Sequence, residues 1–534
     1  MKGSRRQFLK GSGAVAAGFV GLERFLVTAA QGKLSQKYNS ELAKYGKLIP
    51  DPARILDLPD GFTYKVISIT GDPMSDGLRT PGGPDGMAAF PGKNGRVVLV
   101  RNHELDDNQT FLSPFGIANE NLSKVDPTRV FDLGNGVRPQ IGGTTNVVFN
   151  PKTLEVEKQF LSLAGTARNC AGGPTPWNTW ITCEETVIRP KNAKEIKEEK
   201  KKKKREQRMK AKEAKKAAES AKKAPKKKEA KAPKKKQAKK KEAKEQEIKD
   251  LPKHEDYLEH DHGYNFEVPA TSKVGLCKPV PLKDMGRFNH EAVAVDPASG
   301  IVYQTEDRDD GLVTRYIPKE PGNLKAGGTL QALVIKDKKS CDTRNWPDTG
   351  EAKIPVGEPL EVEWMTLEDI HSPNDTLRKD AFKAGAARFA RGEGMWYGNN
   401  QVYFACTSGG IAKSGQIFVY RPNPAEGTEE ESRQPGTVTL YLEPNDTSLL
   451  EYGDNLTVAP WGDVVLSEDG AKEQYIRGVT PNGEIYTLAR SAYLGNSELC
   501  GVCFAPNHPT LFVNIQKPGI TLAITGPWET LTKV

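Results

Sequence analysis

Two stretches of the chain carry the same chemistry at the same places. Glu291 to Glu306 and Asp454 to Glu468 each read as two short apolar strands around a Pro/Gly turn, opened and closed by an acidic residue. Four more stretches fit that template: Asp85 to Glu104, Cys170 to Glu185, Glu393 to Thr407 and Glu498 to Gln516. In an antiparallel hairpin the first residue of one strand stands beside the last residue of the next, because the turn is at the opposite end. Each copy therefore brings functional groups together at its open end. Carboxylates gathered at one point repel and raise one another's pKa unless cations neutralise them. Their hard oxygens suit calcium or magnesium, whereas the thiolate of Cys170, in Arg168-Asn169-Cys170-Ala171-Gly172-Gly173, suits a transition metal such as iron. The pattern predicts a mixed metal site.

Arginine supplies the complementary half. Arg391 lies two residues before Glu393, and a planar guanidinium fork matches phosphate oxygens bidentately, so a phosphate ester is the natural substrate. Arg168 and Arg477 are further candidates for substrate binding. His103 and His290 directly precede Glu104 and Glu291, so strand alternation turns them away from those carboxylates and into packing roles.

The elements that must position these groups follow from the repeat. Six units of short strands predict an all-β, six-bladed β-propeller, since radial repetition leaves few exposed sheet edges. The innermost strands would then aim every acidic tip at one mouth of the central channel. Residues 31–190 and 251–534 read as this single propeller domain. Residues 191–250 interrupt it as a Lys/Ala/Glu-rich low-complexity insertion with no apolar stripe to bury, expected to be a solvated helix or a disordered arm. No aromatic residue interleaves its lysines for base stacking, so no specific nucleic-acid role is expected.

The insertion also disguises the charge of the rest. The whole chain has 77 basic and 69 acidic residues, a formal charge of +8. Without the 28 basic and 11 acidic residues of the insertion, 49 basic face 58 acidic residues, and the remainder is acidic. Seven cysteines are too few for a disulfide scaffold, and Cys500-Gly501-Val502-Cys503 reads as strand packing. Ser4-Arg5-Arg6-Gln7-Phe8-Leu9-Lys10 followed by a mildly apolar Gly/Ala-rich run is a twin-arginine signal over residues 1–30. It is too short and too weakly apolar for a stable anchor, and it implies engagement of the twin-arginine translocase, export in the folded state and a periplasmic or secreted location. A closed propeller without heptads is expected to be a monomer.

These residues resemble the PhoX-type alkaline phosphatases. The matching stretches include Arg101-Asn102-His103-Glu104, Arg168 to Gly173 with Thr182-Cys183-Glu184-Glu185, His262 to Glu267, Arg287 to Ala292, Thr305-Glu306-Asp307, Arg391 to Gly394 and Ser467 to Gly470. The resemblance implies hydrolysis of phosphomonoesters at a cluster of Fe(III) and Ca2+. It makes Cys170 the thiolate ligand, and Glu104, Glu185, Glu267, Glu291, Glu306, Glu393 and Glu468 the carboxylate ligands. Arg391 would hold the phosphate and act in catalysis. Two other classes stand beside this reading: a calcium-dependent propeller lactonase or esterase, which needs no cysteine ligand, and a non-catalytic propeller that binds a partner on its face.

Overall fold

The computed structural model describes residues 45–192, 256–350, 354–495 and 497–528, with scattered positions between 194 and 212. The twin-arginine segment and most of the lysine-rich insertion lie outside the described residues. Among the described residues no helix is long and apolar enough to cross a membrane.

The fold is all-β and propeller-like. Six strands, Pro84–Pro91, Asn169–Pro174, His290–Val295, Gly392–Gly398, Gly453–Val458 and Leu499–Phe504, each open an antiparallel hairpin. Each packs against the next in chain order, and Leu499–Phe504 packs back against Pro84–Pro91, so the six form a closed ring of inner strands. Further strands meander outward from each. Thr63–Ile69, near the start of the described chain, pairs with Ile520–Thr525 at its end and completes the last sheet from both ends of the chain.

Among the described residues the hydrogen-bonded sheets number five, against six expected separate blades. The third and fourth hairpins belong to one nine-stranded sheet, because Pro359–Thr366 pairs with Gly328–Ile335 on one side and Thr437–Leu442 on the other. Between the sheets lie apolar cores; in one, Phe389 sits edge-on to Phe404 at 5.5 Å and Phe418 at 5.4 Å.

Local chemistry explains the hairpins. In the third, Asp296 accepts bonds from Ala298 N at 3.0 Å and Ser299 Oγ at 2.6 Å, and Gly300 takes φ +73°, so the Asp-Pro-Ala-Ser-Gly stretch turns the chain without opposing strand pairing. At the other end, all six hairpins carry the same β-bulge, in which two residues of the inner strand oppose one of its partner. The first bulged residues are Asp85, Cys170, Glu291, Glu393, Asp454 and Gly501. A bulge re-aims a side chain that regular pleating would send elsewhere.

By compactness the chain divides into a large unit, Met1–Phe131, Gln140–Val187 and His262–Val534, and a small one, Asp132–Pro139 and Ile188–Asp261. The hairpins belong to the large unit. Within the small unit Asp132 accepts bonds from Glu259 N and His260 N at 2.9 and 3.1 Å, and Lys191 Nζ meets Asp256 Oδ1 at 3.1 Å, drawing the two ends of the insertion together.

Candidate metal centre

The bulges deliver five donors to one cavity of about 470 Å³: Asp85, Cys170, Glu291, Glu393 and Asp454. The second strand of each hairpin adds the residue just past its last pair in the first five units: Glu104, Glu185, Asp307, Thr407 and Asp469. All of these but Thr407 line the same cavity. The sixth unit departs from the pattern, since Gly501 offers no donor. Its ladder runs one pair further, to Leu499 and Ile515, and Glu498 and Gln516 line the cavity from the flanks of that pair.

Among the described residues, donor atoms fall into three groups whose members all lie within 4.8 Å of one another: Cys170 with Glu185 and Glu291, Glu291 with Glu393 and Asp454, and Asp85 with Glu104 and Glu498. Glu291 is common to two groups. One set mixes sulfur with oxygen, and the other two are all-carboxylate.

Arg168 and Arg391 enter from equivalent positions, two residues before Cys170 and Glu393, with φ of +47° and +50°. Asp307 holds Arg391 through Nε at 2.8 Å and Nη2 at 2.9 Å, and Glu393 Oε1 meets the same Nη2 at 2.5 Å. Arg168 meets Asp106 at 2.9 Å, Glu185 at 2.6 Å and Glu104. Lys517 is a third cation on the cavity wall.

So many acids in one buried place cannot all be ionised without help. Burial, then the neighbouring Glu104, pushes Glu185 up to about 8. Glu291 is raised well above the usual carboxylate range by burial, then by Glu393; Glu393 by burial, then Asp307; and Asp454 by burial, then Asp469. Asp85 and Glu498 behave likewise, and burial and then Glu291 raise the Cys170 thiol. Burial works against the charge of Arg391, but Glu393 and Asp307 outweigh it and hold the guanidinium protonated. The donor chemistry, the grouping and the unmet negative charge all fit resident multivalent cations.

The structure brings Cys170, Glu104, Glu185, Glu291, Glu393, Arg168 and Arg391 together and places four other expected residues elsewhere. Glu306 and Glu468 are the last paired residues of their strands, one position short of the cavity. Side chains alternate along a strand, so a one-residue step reverses the face. Glu306 instead accepts Leu312 N at 3.1 Å near Arg378, and Glu468 meets Glu451 N and Arg477 Nε, each at 3.1 Å. Glu267 sits on the third strand of its sheet, away from the inner ring, and accepts bonds from Trp177 Nε1 at 2.7 Å and Thr179 Oγ1 at 2.8 Å. Arg477, besides its pair with Glu468, bonds Thr487 Oγ1 at 2.6 Å and covers the Tyr475 ring at 3.9 Å. The residues that do reach the cavity are Asp307 and Asp469, the second members of the Glu306-Asp307 and Glu468-Asp469 doublets. Glu184-Glu185 shows the same rule: Glu184 turns into the core to meet His262 Nδ1 at 2.6 Å while Glu185 faces the cavity.

A profile of the family described as alkaline phosphatase PhoX matches residues 43–519, and a twin-arginine translocation signal profile matches residues 4–20. No curated protein matches the chain. Among solved structures, Pseudomonas fluorescens PhoX in complex with vanadate, a transition state analogue, aligns at TM-score 0.57 and 16% identity over 90% of this chain and 97% of that one. A gluconolactonase from Xanthomonas campestris aligns at TM-score 0.35 and 10% identity, over 90% of this chain and 98% of its own. Virginiamycin B lyase from Staphylococcus aureus gives 0.33 and 10%, over 87% and 99%.

Proposed function

Since the chain belongs to the alkaline phosphatase PhoX family and carries a twin-arginine export signal, we propose that this exported phosphatase hydrolyses phosphate monoesters in the acidic cavity, with iron held at Cys170 and calcium held by the all-carboxylate groups. One observation carries the reading: three donor groups, two of them sharing Glu291, open onto the cavity that also holds Arg391. Cys170, Glu185 and Glu291 offer the thiolate-containing set that suits iron, and Asp85, Glu104 and Glu498 offer hard oxygens that suit calcium. When bound, such cations neutralise the ester's charge and act as Lewis acids.

The chain's own residues orient the substrate. Asp307 and Glu393 engage Nε and Nη2 of Arg391, which leaves Nη1 for a phosphoryl oxygen and fixes the plane of the fork. Arg168 faces the same cavity from the second hairpin, two places around the ring from Arg391, so two guanidinium groups flank the donor cluster and stabilise equatorial oxygens as charge develops. Lys517 adds a further positive charge to the cavity wall. The support for six blades is the closed cycle of six inner strands with their six matching bulges; the nine-stranded sheet is then two blades joined at their outer edges. Residues 31–190 and 251–534 form that one catalytic domain, and 191–250 interrupt it.

Elemental analysis together with hydrolysis of a chromogenic phosphate monoester tests the proposal. Iron and calcium in the purified protein, with activity lost on chelation, are the expected result. Calcium alone with lactone hydrolysis, or neither metal, would overturn it. Arg391→Ala should lower kcat/KM by roughly a hundredfold or more, the scale of a lost preorganised donor.

A further inference from the structure

Two residues that stand opposite a bulge in their own hairpin also reach the bulge of the next. Asn102 opposes Asp85 and Gly86, and its Nδ2 donates to Ala171 O at 2.6 Å and Cys170 O at 3.1 Å. Trp180 Nε1 donates to its Oδ1 at 2.8 Å, so the amide cannot turn without losing both ends. Thr305 opposes Glu291 and Ala292, and its hydroxyl donates to Glu393 O at 2.6 Å while accepting Ala292 N at 3.0 Å. A third residue closes the ring. Asn514 Nδ2 donates to Asp85 O at 2.6 Å, and its Oδ1 accepts Thr521 Oγ1 at 2.7 Å. Thr521 in turn receives Arg101 Nη1. All three side chains are fully buried.

The carbonyl that each clamp takes belongs to a donor itself: Cys170, Glu393 or Asp85. A bulged residue lacks a ladder partner at that point, so its backbone orientation is set by whatever else bonds it. We infer that Asn102, Thr305 and Asn514 are positioning residues, each fixing from one hairpin the donor of the next, and each serving a different one of the three donor groups. The inference rests on the metal reading above. It makes the ring of hairpins, rather than any single sheet, the unit that aims the ligands.

The test is a comparison of near-isosteric variants: Asn102→Leu, Asn514→Leu and Thr305→Val, with Thr305→Ser as the conservative control. Iron and calcium per chain are measured by elemental analysis after dialysis against buffered calcium, alongside the thiolate-to-iron absorption band and the melting temperature. Asn102→Leu should weaken iron binding by about tenfold and bleach the band while calcium stays, the scale seen when a bond supporting a metal ligand is removed. Asn514→Leu should show the reverse, losing calcium and keeping the band. Thr305→Val should lower the total ion count, and Thr305→Ser should restore it. Equal loss of both metals in step with melting temperature, or no loss, overturns the inference and leaves the clamps as packing. If the leucine variants do not fold, the Thr305 pair decides alone. A wild-type chain holding neither metal overturns the metal reading first, and this inference with it.

Discussion

Adjacent acidic residues in this chain have opposite tasks. Glu468 is buried against Arg477 and accepts a backbone N–H, while Asp469 faces the cavity with Asp454 and Glu498. Removing Glu468 leaves the Arg477 guanidinium uncompensated in the interior, so Glu468→Ala should destabilise the protein by about 3–5 kcal/mol in chemical denaturation. Its calcium content should not change. Asp469→Asn should do the opposite. Burial and the charge of Glu104 raise the Asp469 carboxyl, so neutralising it relieves repulsion, and the chelated protein should melt no lower than wild type while calcium per chain falls. The doublets Glu184-Glu185, Glu306-Asp307 and Glu468-Asp469 are plain in the sequence. Which member faces the cavity depends on where the ladder's last pair falls, and composition does not mark that point.

At the scale of elements, the bulge is the device that turns a side chain at the end of an inner strand into the cavity. Gly394 follows Glu393 within its bulge, and a Cβ there would run into Asp454 O and lie 2.8 Å from Asn455 Cα. Gly86 stands the same way against Ala171 of the second hairpin. Neighbouring inner strands thus approach backbone to backbone beside the donors. Gly394→Ala should force the fourth and fifth hairpins apart at a cost of about 1–3 kcal/mol, the usual price of overpacking, and lower metal occupancy with it. Melting temperature and elemental analysis read the two effects separately. The turns that close these hairpins were legible, because Asp-Pro-Ala-Ser-Gly and Ala-Pro-Trp-Gly have known turn chemistry. The bulges were not: a two-versus-one register is a property of a pair of strands, and each strand alone still alternates.

The whole molecule stores like charge at its centre, and this gives it a pH signature. Glu185 has a folded-state pKa of about 8 against an ordinary 4.5, and Glu291, Glu393, Asp454, Asp85 and Glu498 are shifted the same way. Below pH 4.5 Glu185 is protonated both folded and unfolded. Between 4.5 and 8 the unfolded chain releases the proton and the folded chain keeps it, so stability falls as pH rises through that window. The chelated protein should therefore melt lower at pH 8 than at pH 5 by differential scanning calorimetry. With calcium and iron bound, the carboxyls ionise in the folded state, and the difference should vanish or reverse. A chelated protein whose melting temperature rises between pH 5 and pH 8 would contradict the charge arrangement described above. By itself the sequence determined the export signal, the acidic character hidden by the lysine-rich insertion, the sixfold hairpin repeat, and Cys170, Arg168 and Arg391 as candidates that the cavity does gather, because each is carried by local residue types and their spacing. Only the tertiary structure decided the faces and the neighbours. It placed Asp307 and Asp469 in the cavity in place of Glu306 and Glu468, withdrew Glu267 and Arg477 into structural pairs, and joined two hairpins into one nine-stranded sheet. The physical reason is that a side chain's face follows from strand register and bulges, and its partners from packing between hairpins far apart in the chain.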